Sequence, residues 1–185
     1  MTRYIALLRG VNVGGKNIIK MTDLKAAFEK QGFWNVITYI NSGNILFDSG
    51  TPGVAILNDM CKKIIAQGFG LDIPVCVISA DELEKSLAQA PEWWNKLPDA
   101  RHDAFFVIPP MTASEIVAHV GAVKEEYEKV DYYGGIIFWS APMATFSRTR
   151  WSKISKDKKM YNAITVRNAN TVLKLSELAK GKQFP

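Results

Sequence analysis

The sequence predicts a mixed α+β protein made of two tandem β-α-β-β-α-β units, and three observations carry that prediction. Short apolar runs of strand type alternate with stretches of helical apolar spacing, and the alternation runs twice in the same order. Turn-forming residues, Asn41-Ser42-Gly43 and Gly134-Gly135, separate two strand-like runs at the corresponding place in each half. The chain has 185 residues, 48% of them hydrophobic, which suffices for two small cores.

In the first half, residues 3–9 have the apolar content of a strand buried on both faces and run into a glycine-rich segment, 10–17. A first helix is expected from Thr22, a candidate N-cap followed by Asp23, with Leu24, Ala27 and Phe28 on one face and Gly32 as its stop. Residues 36–40 and 44–47 read as strands paired antiparallel about Asn41-Ser42-Gly43. A second helix follows Pro52, with Leu57, Met60, Cys61, Ile64 and Ile65 on one stripe and its end near Gly68 and Gly70. Residues 73–78 close the unit as a strand.

Residues 81–90 read as an amphipathic helix carrying Leu83 and Leu87, followed by Pro91, the Trp93-Trp94 pair and Pro98. The order then repeats: strand 104–108, helix 112–120, and hairpin strands 129–133 and 136–140. A basic helix at 148–158, a short strand at 164–167 and a closing helix at 170–180 complete the chain. This order is the split pattern of a ferredoxin-like plait, in which two helices cover one face of a four-stranded antiparallel sheet. The expected domains are a ferredoxin-like domain at 1–79, a helical linker at 80–101, and a second ferredoxin-like domain with a C-terminal helix at 102–185. No residue-level repeat links the halves, so the duplication rests on element order.

Composition narrows the function. No apolar run approaches the roughly 20 residues of a membrane span, and the first residues lead straight into a strand pattern with no signal-type region. A cytoplasmic protein is expected, with no membrane partner. Cys61 and Cys76 sit in apolar runs without metal-ligand spacing and read as reduced core thiols. The net charge of +5 is uneven: residues 148–182 hold ten basic and two acidic side chains, a local +8, which leaves −3 for the rest. That asymmetry points the C-terminal part towards an anionic partner: phosphate, nucleotide or nucleic acid.

Three segments are candidates for binding. The first, Gly10-Val11-Asn12-Val13-Gly14-Gly15-Lys16-Asn17, nearly matches a P-loop, but Asn17 stands where the Mg²⁺-binding hydroxyl should be, and extended residues separate Lys16 from the helix. It therefore reads as an amide-rich loop, with Arg9, Lys16 and Lys20 nearby, able to hold an anion by backbone and charge. The second is the turn bearing Asn41, Ser42 and Asn44, types that also favour turns for local reasons. The third runs from Arg167 through Asn168, Asn170 and Thr171 to Lys174, where a strand meets a helix that Asn168 or Asn170 can cap. Two cations at the positive end of a helix dipole are unfavourable unless an anion or carboxylate lies close.

Other chemistry-bearing residues read as structural. Trp93, Trp94, Tyr132, Tyr133, Trp139 and Trp151 lack the RNP-type pattern of a base-reading sheet. His102 and His119 have no motif-linked nucleophile, and no enzyme class or cofactor follows from them.

At residues 9–17, 38–44 and 167–171 the chain resembles the bacterial family DUF1697, with the three motifs in the family's order. The resemblance implies a tandem ferredoxin-like fold and carries no activity, because the family is one of unknown function. Ala169 departs from it, standing where many relatives carry a larger, often aromatic residue.

The leading expectation is a binding module in which the Gly10 to Asn17 loop and the Arg167 to Lys174 segment hold a phosphate-bearing small molecule or nucleotide. The alternatives are a nucleic-acid-binding protein using Arg148, Arg150, Lys153, Lys156, Lys158 and Lys159 against a phosphate backbone, and an enzyme whose deep pocket holds a residue of perturbed pKa.

Overall fold

Strand β1, Thr2–Leu8, is buried at every residue after the first, as its near-continuous apolar content requires. The structure, a computed structural model, describes residues 1–181. After β1 come α1 (Met21–Lys30), β2 (Trp34–Tyr39), β3 (Asn44–Ser49), α2 (Val54–Phe69), β4 (Val75–Ser79) and α3 (Ala80–Ala88). The order then continues with β5 (Ala100–Val107), α4 (Ala113–Val120), β6 (Lys129–Tyr133) and β7 (Ile136–Pro142). Two 3-10 turns, Met143–Arg148 and Trp151–Lys156, lead to α5 (Lys158–Asn162), β8 (Ile164–Asn168) and α6 (Ala169–Lys180). The protein is thus mixed α+β, with two four-stranded antiparallel sheets.

The chain divides into two compact units, Met1–Leu83 with the chain from Lys174 onward, and Glu84–Leu173. In the first unit the sheet order is β2-β3-β1-β4. Tyr4, Ala6 and Leu8 of β1 and Ile45 and Phe47 of β3 form a core with Leu24 and Phe28 of α1 and Leu57, Cys61 and Ile65 of α2. Helix α1 starts one residue earlier than expected, and Thr22 is not its cap: Lys20 holds the N-cap position without a side-chain bond, while Thr22 Oγ1 donates to Asp23. The start is fixed by tertiary contact, because the preceding Ile19 is buried and tied down through its backbone. Strand β4 begins at Val75 and not at residue 73, because Pro74 has no N–H to give a ladder.

The second unit has the same spatial order, β6-β7-β5-β8. Phe105, Ile137, Trp139, Trp151, Met160 and Ile164 anchor its core. Thr112 and Glu115 form the capping box that starts α4. The basic helix expected at 148–158 does not form. The Thr149 hydroxyl accepts the N–H of Ser152, and the Asp157 carboxylate accepts those of Lys159 and Met160, so side chains compete with helical bonding and break the stretch into short turns. Among the described residues no helix is long and apolar enough to cross a membrane.

Candidate functional site

The glycine-rich loop is cross-braced. Asn12 Nδ2 donates to the carbonyls of Ile19 and Asn41, both at 2.9 Å, and its Oδ1 accepts the Ile19 N–H at 2.9 Å. Both amide protons of Asn12 are therefore committed to the protein's own backbone. Asn17 Nδ2 likewise donates to the Gly10 carbonyl at 3.0 Å. The tip closes by the Lys16 N–H donating to Val13 O at 3.1 Å, with Gly14 and Gly15 both at positive φ. Gly14, Gly15 and Lys16 remain exposed, and the backbone N–H of Arg9 donates to Pro74 O.

The Asn41 to Asn44 turn is built the same way. Asn44, fully buried at 0%, donates from Nδ2 to Tyr39 O and to Ser42 Oγ. Asn41 contributes its carbonyl to Asn12.

At the start of α6, Asn168 is the residue that caps, its Oδ1 accepting the Thr171 N–H at 2.8 Å. Asn170 is exposed and Thr171 buried. Arg167 is buried and donates from Nη1 to Thr165 Oγ1 and Val166 O, while Lys174 Nζ meets Glu177 Oε1 at 2.7 Å. The Lys174 charge thus has a carboxylate within its own helix. Residues 10–17 belong to the first unit and residues 167–173 to the second.

Charge gathers elsewhere, in a groove of about 460 Å³ within the second unit. Lys124, Arg150 and Lys153 line it together with His119 and Asp157, over Val120, Ile154 and Met160. Buried Glu128, 2% exposed, holds this wall: its carboxylate accepts the N–H of Arg150 at 2.8 Å, the N–H of Trp151 at 3.1 Å and Trp139 Nε1 at 3.0 Å. The Arg150 guanidinium reaches the Val120 carbonyl at 3.4 Å and lies where a side chain on Gly121 would sit. At the other end Asp157 Oδ2 pairs with His119 Nε2 at 2.7 Å. The N–H of Met160, followed by His119, holds the Asp157 carboxyl below its usual range. Arg148, Lys156, Lys158 and Lys159 are also exposed.

Sequence reasoning found Arg150 and Lys153 as surface cations but missed Lys124 and Glu128. Glu128 closes an acidic run with Glu125 and Glu126, and nothing local distinguishes its buried carboxylate from theirs. The one available signal was Asp157, an N-cap type inside the expected basic helix.

Of the remaining candidates, Tyr132 and Tyr133 of β6 are exposed, while His102 and three of the tryptophans are held internally. His102 Nε2 lies 2.9 Å from Leu97 O, and its Nδ1 accepts the Asn95 N–H, which sets the ring with Nε2 protonated. Trp94, Trp139 and Trp151 are core residues. Burial pushes the Cys61 thiol up to about 12 and raises the Asp103 carboxyl; neither residue lines the basic groove.

No curated protein matches the chain. Among solved structures, a conserved bacterial protein from Streptococcus pneumoniae is similar at 31% identity and a TM-score of 0.85, over 97% of this chain and 99% of that one. A family model described as protein of unknown function (DUF1697) matches residues 1–138. That match runs from β1 into β7, and on it the chain belongs to the DUF1697 family.

Proposed function

We propose that the protein is a binding module for a phosphate-bearing small molecule or nucleotide, held in the basic groove of the second unit. The observation that carries this reading is the lining of one groove by Lys124, Arg150 and Lys153, on a wall whose backbone is tied to buried Glu128. A backbone fixed at Arg150 loses less entropy on meeting a phosphate than a mobile loop does, and an apolar floor of Val120, Ile154 and Met160 suits the body of a nucleotide. The exposed tip at Gly14, Gly15 and Lys16 and the α6 start near Arg167 are secondary anion sites in this reading. Each unit is taken as a ferredoxin-like plait, supported by the shared orders β2-β3-β1-β4 and β6-β7-β5-β8. The buried Cys61 and Cys76 suit a reducing, cytoplasmic setting.

The test is a thermal-shift and calorimetric screen against inorganic phosphate, nucleoside phosphates and short RNA at low and high salt. A ligand at 100 times its Kd raises stability by about 2.7 kcal/mol. Arg150→Ala and Lys153→Ala should each weaken a salt-tolerant compact phosphate ligand about 10-fold, while Lys16→Ala and Arg167→Ala probe the secondary sites. Unchanged affinity in both groove variants sinks the assignment.

A nucleic-acid backbone is the second reading, favoured by the exposure of Arg148, Lys156, Lys158 and Lys159 in the same stretch of sequence as Arg150 and Lys153. It requires binding to RNA or DNA that falls steeply with salt.

A further inference from the structure

A second groove, of about 690 Å³, lies within the first unit and is lined by β2 and the last turn of α6. Its size is that of a small-molecule site, roughly 300–1,000 Å³. Val36, Ile37, Leu178 and Ala179 supply apolar walls, and Arg3, Asn35 and Asp48 supply the polar end.

That polar end is built. Arg3 and Asp48 face each other in the β1–β3 register and are joined at 3.0 Å, each with a side chain only 9% exposed. The β2 ladder is irregular between Trp34 and Ile37, and Asn35 there takes φ +49. This bulge turns Asn35 onto the ion pair: its carbonyl accepts Arg3 Nη1 at 2.8 Å and its Nδ2 donates to Asp48 Oδ2 at 2.6 Å. Bulges of this kind re-aim side chains beside binding sites.

The hydrogen bonds of the guanidinium leave from Nη1. Arg3 Nε is buried and meets no acceptor among the described residues, although the residue is 8% exposed and lines the groove. A buried charged donor without an acceptor is costly. A guanidinium lining such a groove suits the oxygens of a carboxylate or phosphate. Charge decides between them. Asp48 already neutralises Arg3, and Glu29 and Glu177 lie in the same lining with Lys25 as the other cation, so a phosphate dianion meets more repulsion than a monoanion.

We propose that this groove binds a small amphipathic carboxylate, its oxygens at the Arg3 end and its apolar chain along Ile37 and Leu178. The site is independent of the basic groove, since every residue lining it belongs to the first unit.

Amide-resolved NMR titration with octanoate, octanol and inorganic phosphate tests it. Octanoate should give saturable shifts at Asn35, Ile37 and Leu178, with octanol and phosphate at least 10-fold weaker. Ile37→Glu, a change at a 40% exposed edge position, places a carboxylate in the path of the ligand and should abolish octanoate binding while the rest of the spectrum is unmoved. Arg3→Lys keeps the charge, removes the fork and should weaken octanoate at least 10-fold; if that variant does not fold, Ile37→Glu decides alone. Absence of saturable shifts, octanol binding as tightly as octanoate, or undiminished octanoate binding to Ile37→Glu overturns the proposal.

Discussion

Gly43 answers to two constraints at once. Its φ is +73, and a Cβ there would lie 2.8 Å from Leu8 Cβ, while its carbonyl accepts the Leu8 N–H at 2.8 Å. Gly43→Ala should therefore cost about 3 kcal/mol, from left-handed strain plus overpacking against β1, as read by denaturant titration. Asp157 offers a pH signature. Its folded pKa is depressed below 3.8, so its capping contribution is present above the unfolded value and is lost as pH falls through the lower folded one. The amides of Lys159 and Met160 should shift on acidification below about pH 3.8, and Asp157→Asn, which still caps, should remove that titration. At this scale the sequence was half legible. Residue types such as Asn41 and Asn44 marked their turn, but Asn12 bonds to Asn41, 29 positions away, and a one-residue pattern carries no information about so distant a partner.

The elements divide by how local their causes are. Helix α4 was legible because Thr112 and Glu115 are three residues apart and satisfy each other's backbone. The basic stretch was misread because Thr149 and Asp157 break it locally and because its Arg150 end is held by Glu128, 22 positions earlier. Glu128→Gln keeps the size and loses the charge, leaving buried N–H donors on a weaker acceptor. Such a change should cost about 2 kcal/mol, measured by chemical unfolding. It should also weaken phosphate binding in the basic groove several-fold, because the Arg150 wall loses its anchor. A variant that loses stability but binds phosphate as before would separate Glu128 from the groove.

Over the whole molecule, the alternation of elements gave the two antiparallel sheets, and the turn residues gave their hairpins. What periodicity could not supply was the destination of the last helix, since an amphipathic stripe says which face is buried and not against which sheet. The division between the units falls inside α3, after Leu83, and inside α6, after Leu173. Truncation after Leu173 should therefore weaken the first unit and spare the core of the second. Hydrogen exchange reads this directly: amides of β1 and β3 should exchange faster than in the full chain while those of β5 and β7 keep their protection. Unchanged protection in β1 would show that the returning segment contributes nothing to that sheet.

That return has a consequence for synthesis on the ribosome. The first unit is made of the segment up to Leu83 and of residues that follow Leu173, separated by the roughly 90 residues from Glu84 to Leu173. At translation rates of about 5 to 20 residues per second, the nascent N-terminal sheet waits roughly 5 to 20 s for its final piece. During that interval the Arg3 and Asp48 pair, on the two central strands of the sheet, lacks the Leu178 wall, so the groove is complete only after α6 has been made.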